Sequence, residues 1–326
     1  LIRMESGTVI TRMSALDGQE LRLQVDRGRV ACQRPADATE PVRIGLVIGG
    51  YDWELELLEP QTLVGVQVTL PLPQGLPGGQ LLPLSAEVQV LSGNCMVRLT
   101  NGEVQTETPI MPVDGALQWS TTNPLLTPAL GSAGLTWLDP DLMVTTSAAT
   151  TFARNYEKEF LPDSSVADGI APVVDSRSAK MSEFAVQTMA LTDNVAGMVR
   201  GLHAEHEEAR VAAILGLQQW LPRTPERVEE LRDELERSFK SSDVDPLIRL
   251  LWGYSEQDAQ DQAISEKLVR QLGHEEIAIR ELAFYHVSNL TGRKYDYRPL
   301  DPPARRNAAE LRWQDHLKRV GALVKP

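Results

Sequence analysis

The chain has 326 residues, with 32 Lys plus Arg against 45 Asp plus Glu and a formal net charge of −13. At roughly 150 residues per domain this length points to two domains, each able to bury a core. The acidic balance argues against a general nucleic-acid binder or a binder of anionic membranes, and a hydrophobic fraction of 42% with two cysteines argues against a disordered chain or a disulfide scaffold.

Leu1, Ile2, Val9 and Ile10 read as strand material from the first residue, so a segment upstream is expected. From Gln19 to Trp119 apolar residues recur with period two, as in Leu21, Leu23 and Val25 and in Trp53, Leu55 and Leu57. Turn signals separate these runs at Asp26 to Gly28, Gly49-Gly50, Pro73 to Gly79, Ser92 to Asn94 and Asn101-Gly102. Many short strands with no helical pattern between them predict an all-β domain over residues 1–122, of sandwich or jelly-roll type. The longest uncharged stretch, Pro60 to Ala86, is broken by Pro71, Pro73, Pro77 and Pro83, which argues against a membrane-spanning helix. Residues 123–180 gather Pro, Gly, Ser and Thr and read as a flexible linker, with a short docked helix suggested by Phe152, Tyr156 and Phe160 at a spacing of four.

Over residues 181–326 the period changes to 3.6, which predicts an all-α domain. Laying Met198–Ala213 over Leu268–Ala283, at an offset of 70, gives six identities in 16 ungapped positions, among them Arg210 with Arg280. Roughly one identity is expected by chance. Each copy reads as a helix end, an acidic turn and a second helix opening with an arginine. Val228 to Tyr254 supplies a helix pair between the copies, which makes about three units of an α-solenoid. The segments "VRGLHAEHEEARVAAILGL" and "VRQLGHEEIAIRELAFYHV" resemble the HEAT repeat pattern.

All five histidines lie after residue 200. His203 and His206 among Glu205, Glu207 and Glu208 carry zinc-ligand chemistry, but the second copy loses the pairing, which favours an acidic interhelix turn whose carboxylates suit the next helix's N-terminus. Arg210 and Arg280 fit bridging between stacked units better than binding on a concave face. In the β part, Asp52, Glu54, Glu56 and Glu59 cluster without Lys or Arg between Arg43 and Arg98. Paired carboxylates can do acid/base work, but a solvated strand face is the commoner use. Tyr51, Trp53 and Trp119 offer a sugar platform if exposed and core if buried. Cys32 and Cys95 read as two buried thiols, with pairing in an oxidising compartment as the alternative. Asn289-Leu290-Thr291 matches a glycosylation sequon only formally, near a helix end. Residues 293–325 carry nine basic and four acidic residues interleaved with Tyr295, Tyr297 and Trp313. A nucleic-acid contact is weighed there against a last amphipathic helix, built on Leu311, Trp313, Leu317 and Val320, that caps the repeats.

The segments "GTVITRMSALDGQELRLQVDRGRVACQ", "YDWELELLEPQTLVGVQVTLPLP" and "AEVQVLSGNCMVRLTNGEVQTETP" resemble a FecR-type module over residues 7 to 110. Together with "LTGRKYDYRPLDPPARRNAAELRWQDHLK" they resemble large multidomain bacterial proteins, typical of planctomycetes, that carry FecR-like segments after a membrane anchor. The resemblance implies a non-enzymatic regulator or envelope protein, with the β-module outside the cytoplasmic membrane and any membrane contact made through segments not in this sequence. A cytoplasmic location is the alternative. The expected partner is a protein bound by the helical repeats, with no nucleic acid, cofactor or catalytic residue. A carbohydrate-binding or enzyme-accessory β-module is the second reading.

Overall fold

A computed structural model of the chain describes residues 2–4, 8–75, 83–101, 104–129, 137, 147–161 and 163–325. Its contacts divide into two units, one of residues 1–71 and 82–150, the other of residues 72–81 and 151–326. The first is β and the second α, as the change of period predicts.

The β unit holds β1 (Ile2–Met4), β2 (Val9–Met13), β3 (Leu21–Gln33), β4 (Val42–Ile48), β5 (Tyr51–Leu57), β6 (Leu63–Thr69), β7 (Ser85–Ser92), β8 (Cys95–Asn101), β9 (Val104–Ile110), β10 (Ala116–Ser120) and β11 (Asn123–Pro128). They join in the order β11-β10-β7-β6-β3-β4-β5-β8-β9, with β1 and β2 also on β3. The result is one nearly closed mixed sheet, a barrel and not the expected two-sheet sandwich.

The reason is the length of β3. Its first half pairs with β2 and, in parallel, with β4, and its second half pairs with β1 and β6. The positions that enter the main core are Leu23 and Val25 before Gly28 but Val30 and Cys32 after it, while Ala31 is buried on the other face against Leu63, Leu91 and Trp137, so the core-facing parity switches from odd to even at that glycine. Gly28 has φ +103°, and an added Cβ would lie 2.4 Å from the Cα of Thr8. Asp26 to Gly28, expected as a turn between strands, is thus a bend inside one strand that carries the sheet around a corner. Gly49 and Gly50, both at positive φ, form the two-residue loop between β4 and β5. Asn101 pairs with Val104 in the β8–β9 hairpin, while Gly102 lies outside the described residues.

Of the segment expected as a linker, Asn123–Pro128 is strand β11, and Trp137 packs with Ala31, Leu63 and Leu91. Further along, the described residues include helices α1 (Ser147–Glu157), α2 (Val166–Ile170) and the first two residues of α3 (Ala179–Leu191). The anticipated docked helix is α1, where Tyr156 is buried against Phe152, Phe160 and Phe184 and its hydroxyl donates to the Phe184 carbonyl at 2.9 Å.

The remaining helices are α4 (Val195–Gly201), α5 (Glu207–Trp220), α6 (Glu226–Ser238), α7 (Ser241–Leu251), α8 (Glu256–Gln260), α9 (Gln262–Gln271), α10 (Ile277–Thr291) and α11 (Pro303–Val320). α5, α7 and α10, the second helices of three pairs, start at Glu207, Ser241 and Ile277, that is 34 and 36 residues apart. α5 and α10 are buried on nearly all sides, which suits their apolar sequences. α11 buries Trp313 and His316 but leaves Leu311 exposed, so the inward face of this last helix is not the one expected from Leu311. Among the described residues no helix is long and apolar enough to cross a membrane.

Candidate functional site

The recurring arginines do the same thing twice. Arg210, one turn into α5, donates through its Nη1 to the carbonyls of Ala204 and Glu205 at 2.8 and 2.9 Å. Arg280 donates in the same way to His274 and Glu275 at 2.7 and 2.6 Å, the positions 70 residues on. Each guanidinium therefore fastens the turn that leads into its own helix and satisfies two of that turn's carbonyls.

The Nε groups reach further. Arg210 Nε lies 2.6 Å from Glu281 on α10, with side-chain exposures of 1% and 3%, and Arg280 Nε bonds the Pro299 carbonyl at 3.0 Å. The buried pair joins the first helix pair directly to the third. Burial raises the Glu281 carboxyl above its ordinary value, with Arg210 opposing. These arginines face the interior, so the concave-face alternative is set aside. Glu281 was not singled out from the sequence, because nothing local marks a carboxylate whose partner is 71 residues away.

The turns before α5, α7 and α10 meet along one rim of the α unit. His203 stacks on Phe239 with ring centroids 4.3 Å apart, and its Nδ1 lies 3.7 Å from Glu276. Lys240 Nζ is 3.4 Å from Glu275. His274 Nδ1 accepts the Glu276 backbone N–H at 3.0 Å, which leaves Nε2 facing buried Asp243 at 3.8 Å. His206 turns elsewhere, its Nε2–H donating to the Ser176 carbonyl at 3.2 Å. The candidate zinc pair thus diverges, and among the described residues no cluster of His, Cys, Asp and Glu could hold a metal. Glu205, Glu207 and Glu208 stay exposed at the start of α5, where carboxylates suit the helix dipole. The result is a rim rich in carboxylates with one half-open aromatic stack, His203 on Phe239. Phe239, Lys240 and Asp243 were missed in the sequence. The sequence suggests a break at Ser241 to Pro246, but α7 runs from Ser241 through Pro246 to Leu251, and the turn lies just before it at Phe239 and Lys240.

Of the carboxylates considered for acid/base work in the β unit, Arg98 gathers Glu54 and Glu56, while Asp52 pairs with Arg22 and Glu59 accepts from the Asn94 amide at 2.6 Å. The Arg98 guanidinium contacts Glu54 at 2.9 Å, Glu56 at 2.7 Å and Glu107 at 2.9 Å, and Arg43 adds a second contact to Glu56 at 3.1 Å. Burial works against the Glu56 charge, but the hydrogen bonds from Arg98 and Arg43 outweigh it and hold the carboxyl below its usual value. A carboxylate whose ionised form is favoured by two guanidiniums is a poor proton donor. Trp53 and Trp119 are both buried, in edge-to-face contact at 5.3 Å, so with Tyr51 they form core and present no sugar platform. Cys32 and Cys95 are free, buried thiols, each pushed up to about 12 by burial.

At the C-terminal end, Trp313 is buried and Tyr297 donates its hydroxyl to the Leu272 carbonyl at 2.6 Å. The aromatics interleaved with basic residues therefore hold α11 against the end of α9. No known protein family, curated protein or solved structure matches this chain.

Proposed function

We propose that this chain is a non-enzymatic interaction or regulatory protein, a FecR-like β-module joined to a HEAT-like helical solenoid that binds a protein partner. The single observation that carries the reading is the repeated arginine fastening. The residues that recur in the sequence, Arg210 and Arg280, are used to shape turns and join helix pairs, which leaves the charged rim of the turns as the surface offered to a partner. The FecR resemblance adds a place for it, the cell envelope on the outer side of the cytoplasmic membrane. Burial of Trp53 and Trp119 gives the carbohydrate reading no support.

The test is crosslinking of the full chain in cells that express it, read by mass spectrometry. One protein crosslinked along residues 203–208, 239–240 and 274–276, and lost when Glu207, Glu208 and Glu275 are changed to Gln, is the expected result. Crosslinks that ignore these changes, or stoichiometric zinc in the purified protein that disappears in His203→Ala, would overturn it.

A further inference from the structure

On the α unit, several arginines gather at the start of α11. A cleft of about 380 Å³ opens there between α11 and the loop before it, lined by Asp296, Arg298, Asp301, Arg305, Ala309 and Arg312. Among the described residues the side chains of Arg298, Arg305 and Arg306 have no hydrogen bond and no ion pair. Arg312 meets Asp296 at 2.9 Å, but that carboxylate is 93% exposed, which makes the pair weak. Beneath them Arg280 is buried with carbonyl partners and, among the described residues, no carboxylate.

The helix itself aggravates the imbalance. α11 begins after Pro302 with no side-chain cap and no acid in its first turn, although Arg305 and Arg306 sit there. Cations at a helix N-terminus oppose the macrodipole, while an anion would satisfy both the open N–H groups and the guanidiniums. The chain's own carboxylates in the cleft, Asp296 and Asp301, are outnumbered by Arg298, Arg305 and Arg312. Leu300 and Leu311, adjacent in sequence to Asp301 and Arg312, are 55% and 57% exposed. Apolar flanks suit a peptide better than a free ion.

We propose that this cleft docks an acidic segment of a partner protein, its carboxylates taken by Arg298, Arg305 and Arg312 and its apolar side chains by Leu300 and Leu311. The nature of the occupant rests on the interaction reading above. The rim substitutions that test that reading leave α11 untouched, so the two can fail separately.

The probe is a fluorescein-labelled peptide of repeated Glu-Leu-Asp units, titrated with the full chain and read by fluorescence anisotropy. The expected result is salt-sensitive binding that weakens about tenfold or more in Arg298→Glu/Arg305→Glu. Lys318→Glu/Lys325→Glu, with the same change of net charge, is expected to bind as the unaltered chain does. Thermal melts followed by circular dichroism check folding, and Arg298→Gln/Arg305→Gln serves as the milder variant if the reversal unfolds. Absent peptide binding, equal loss in both charge-reversed variants, or unchanged binding in Arg298→Glu/Arg305→Glu would overturn the proposal. Displacement of the peptide by equimolar inorganic phosphate would reduce the cleft to a simple anion site and would equally overturn it.

Discussion

Arg210 and Glu281 are each almost sealed from water, and neither is cheap to bury alone. Arg210→Met strands the carboxylate and is expected to cost about 3–5 kcal/mol in urea denaturation, whereas Arg210→Met/Glu281→Leu removes both charges and should restore most of that loss. An equal cost for single and double variants would show that the pair is not what the site depends on. His286 adds one component of acid sensitivity. It is buried with Nε2–H donating to the Leu250 carbonyl at 2.7 Å, and burial, opposed by that bond and aided by Arg249, pushes its pKa down to about 4. The unfolded chain takes up a proton near pH 6.5 and the folded one only near 4. Stability is therefore full above the first value and declines as pH falls toward the second, by about 3 kcal/mol in all. His286→Gln should remove that component from denaturation midpoints measured between pH 7 and 4.

Among the elements, β3 depends on one residue. Gly28→Ala meets both a positive φ and the backbone of Thr8, and a loss of about 2 kcal/mol or more is expected. Gly50→Ala has open space around it, so only the φ of +83° counts, about 1 kcal/mol. Paired chemical denaturation curves check the order of the two, and the reverse order would remove the corner role from Gly28. The alternation Leu21, Leu23, Val25 made the strand legible, but the sequence carries no mark that its two halves have different partners. Asp26-Arg27-Gly28 has turn composition, and only pairing with β2 and β6 shows that the strand runs on. β11 was lost for a related reason. Pro124 and Pro128 look like linker residues, yet an edge strand has no neighbour on one side to miss their N–H groups.

For the whole molecule, the change from period two to period 3.6 made the β and α parts legible, and the offset of 70 made the two arginines legible as a pair. The closure of the sheet and the long-range partners were not, because they depend on segments far apart in sequence. The envelope placement has a direct check. Cys32 and Cys95 are buried and hard to ionise, so they should stay silent toward a maleimide, while Val113, 85% exposed, accepts a reporter thiol. Val113→Cys should be labelled by a membrane-impermeant maleimide on intact cells whose outer layer has been opened, and labelling only after lysis would place the β part in the cytoplasm.

In a linear array each repeat leans only on its neighbours, so the array can fray from its ends. The Arg210–Glu281 link skips the middle helix pair, and losing the last pair would leave a cation deserted inside the first. The helices should therefore come apart together, with amides in α4 and α10 exchanging hydrogen for deuterium through the same opening event, and the helices left in a chain cut after Gln260 should have no native arrangement to fall back on.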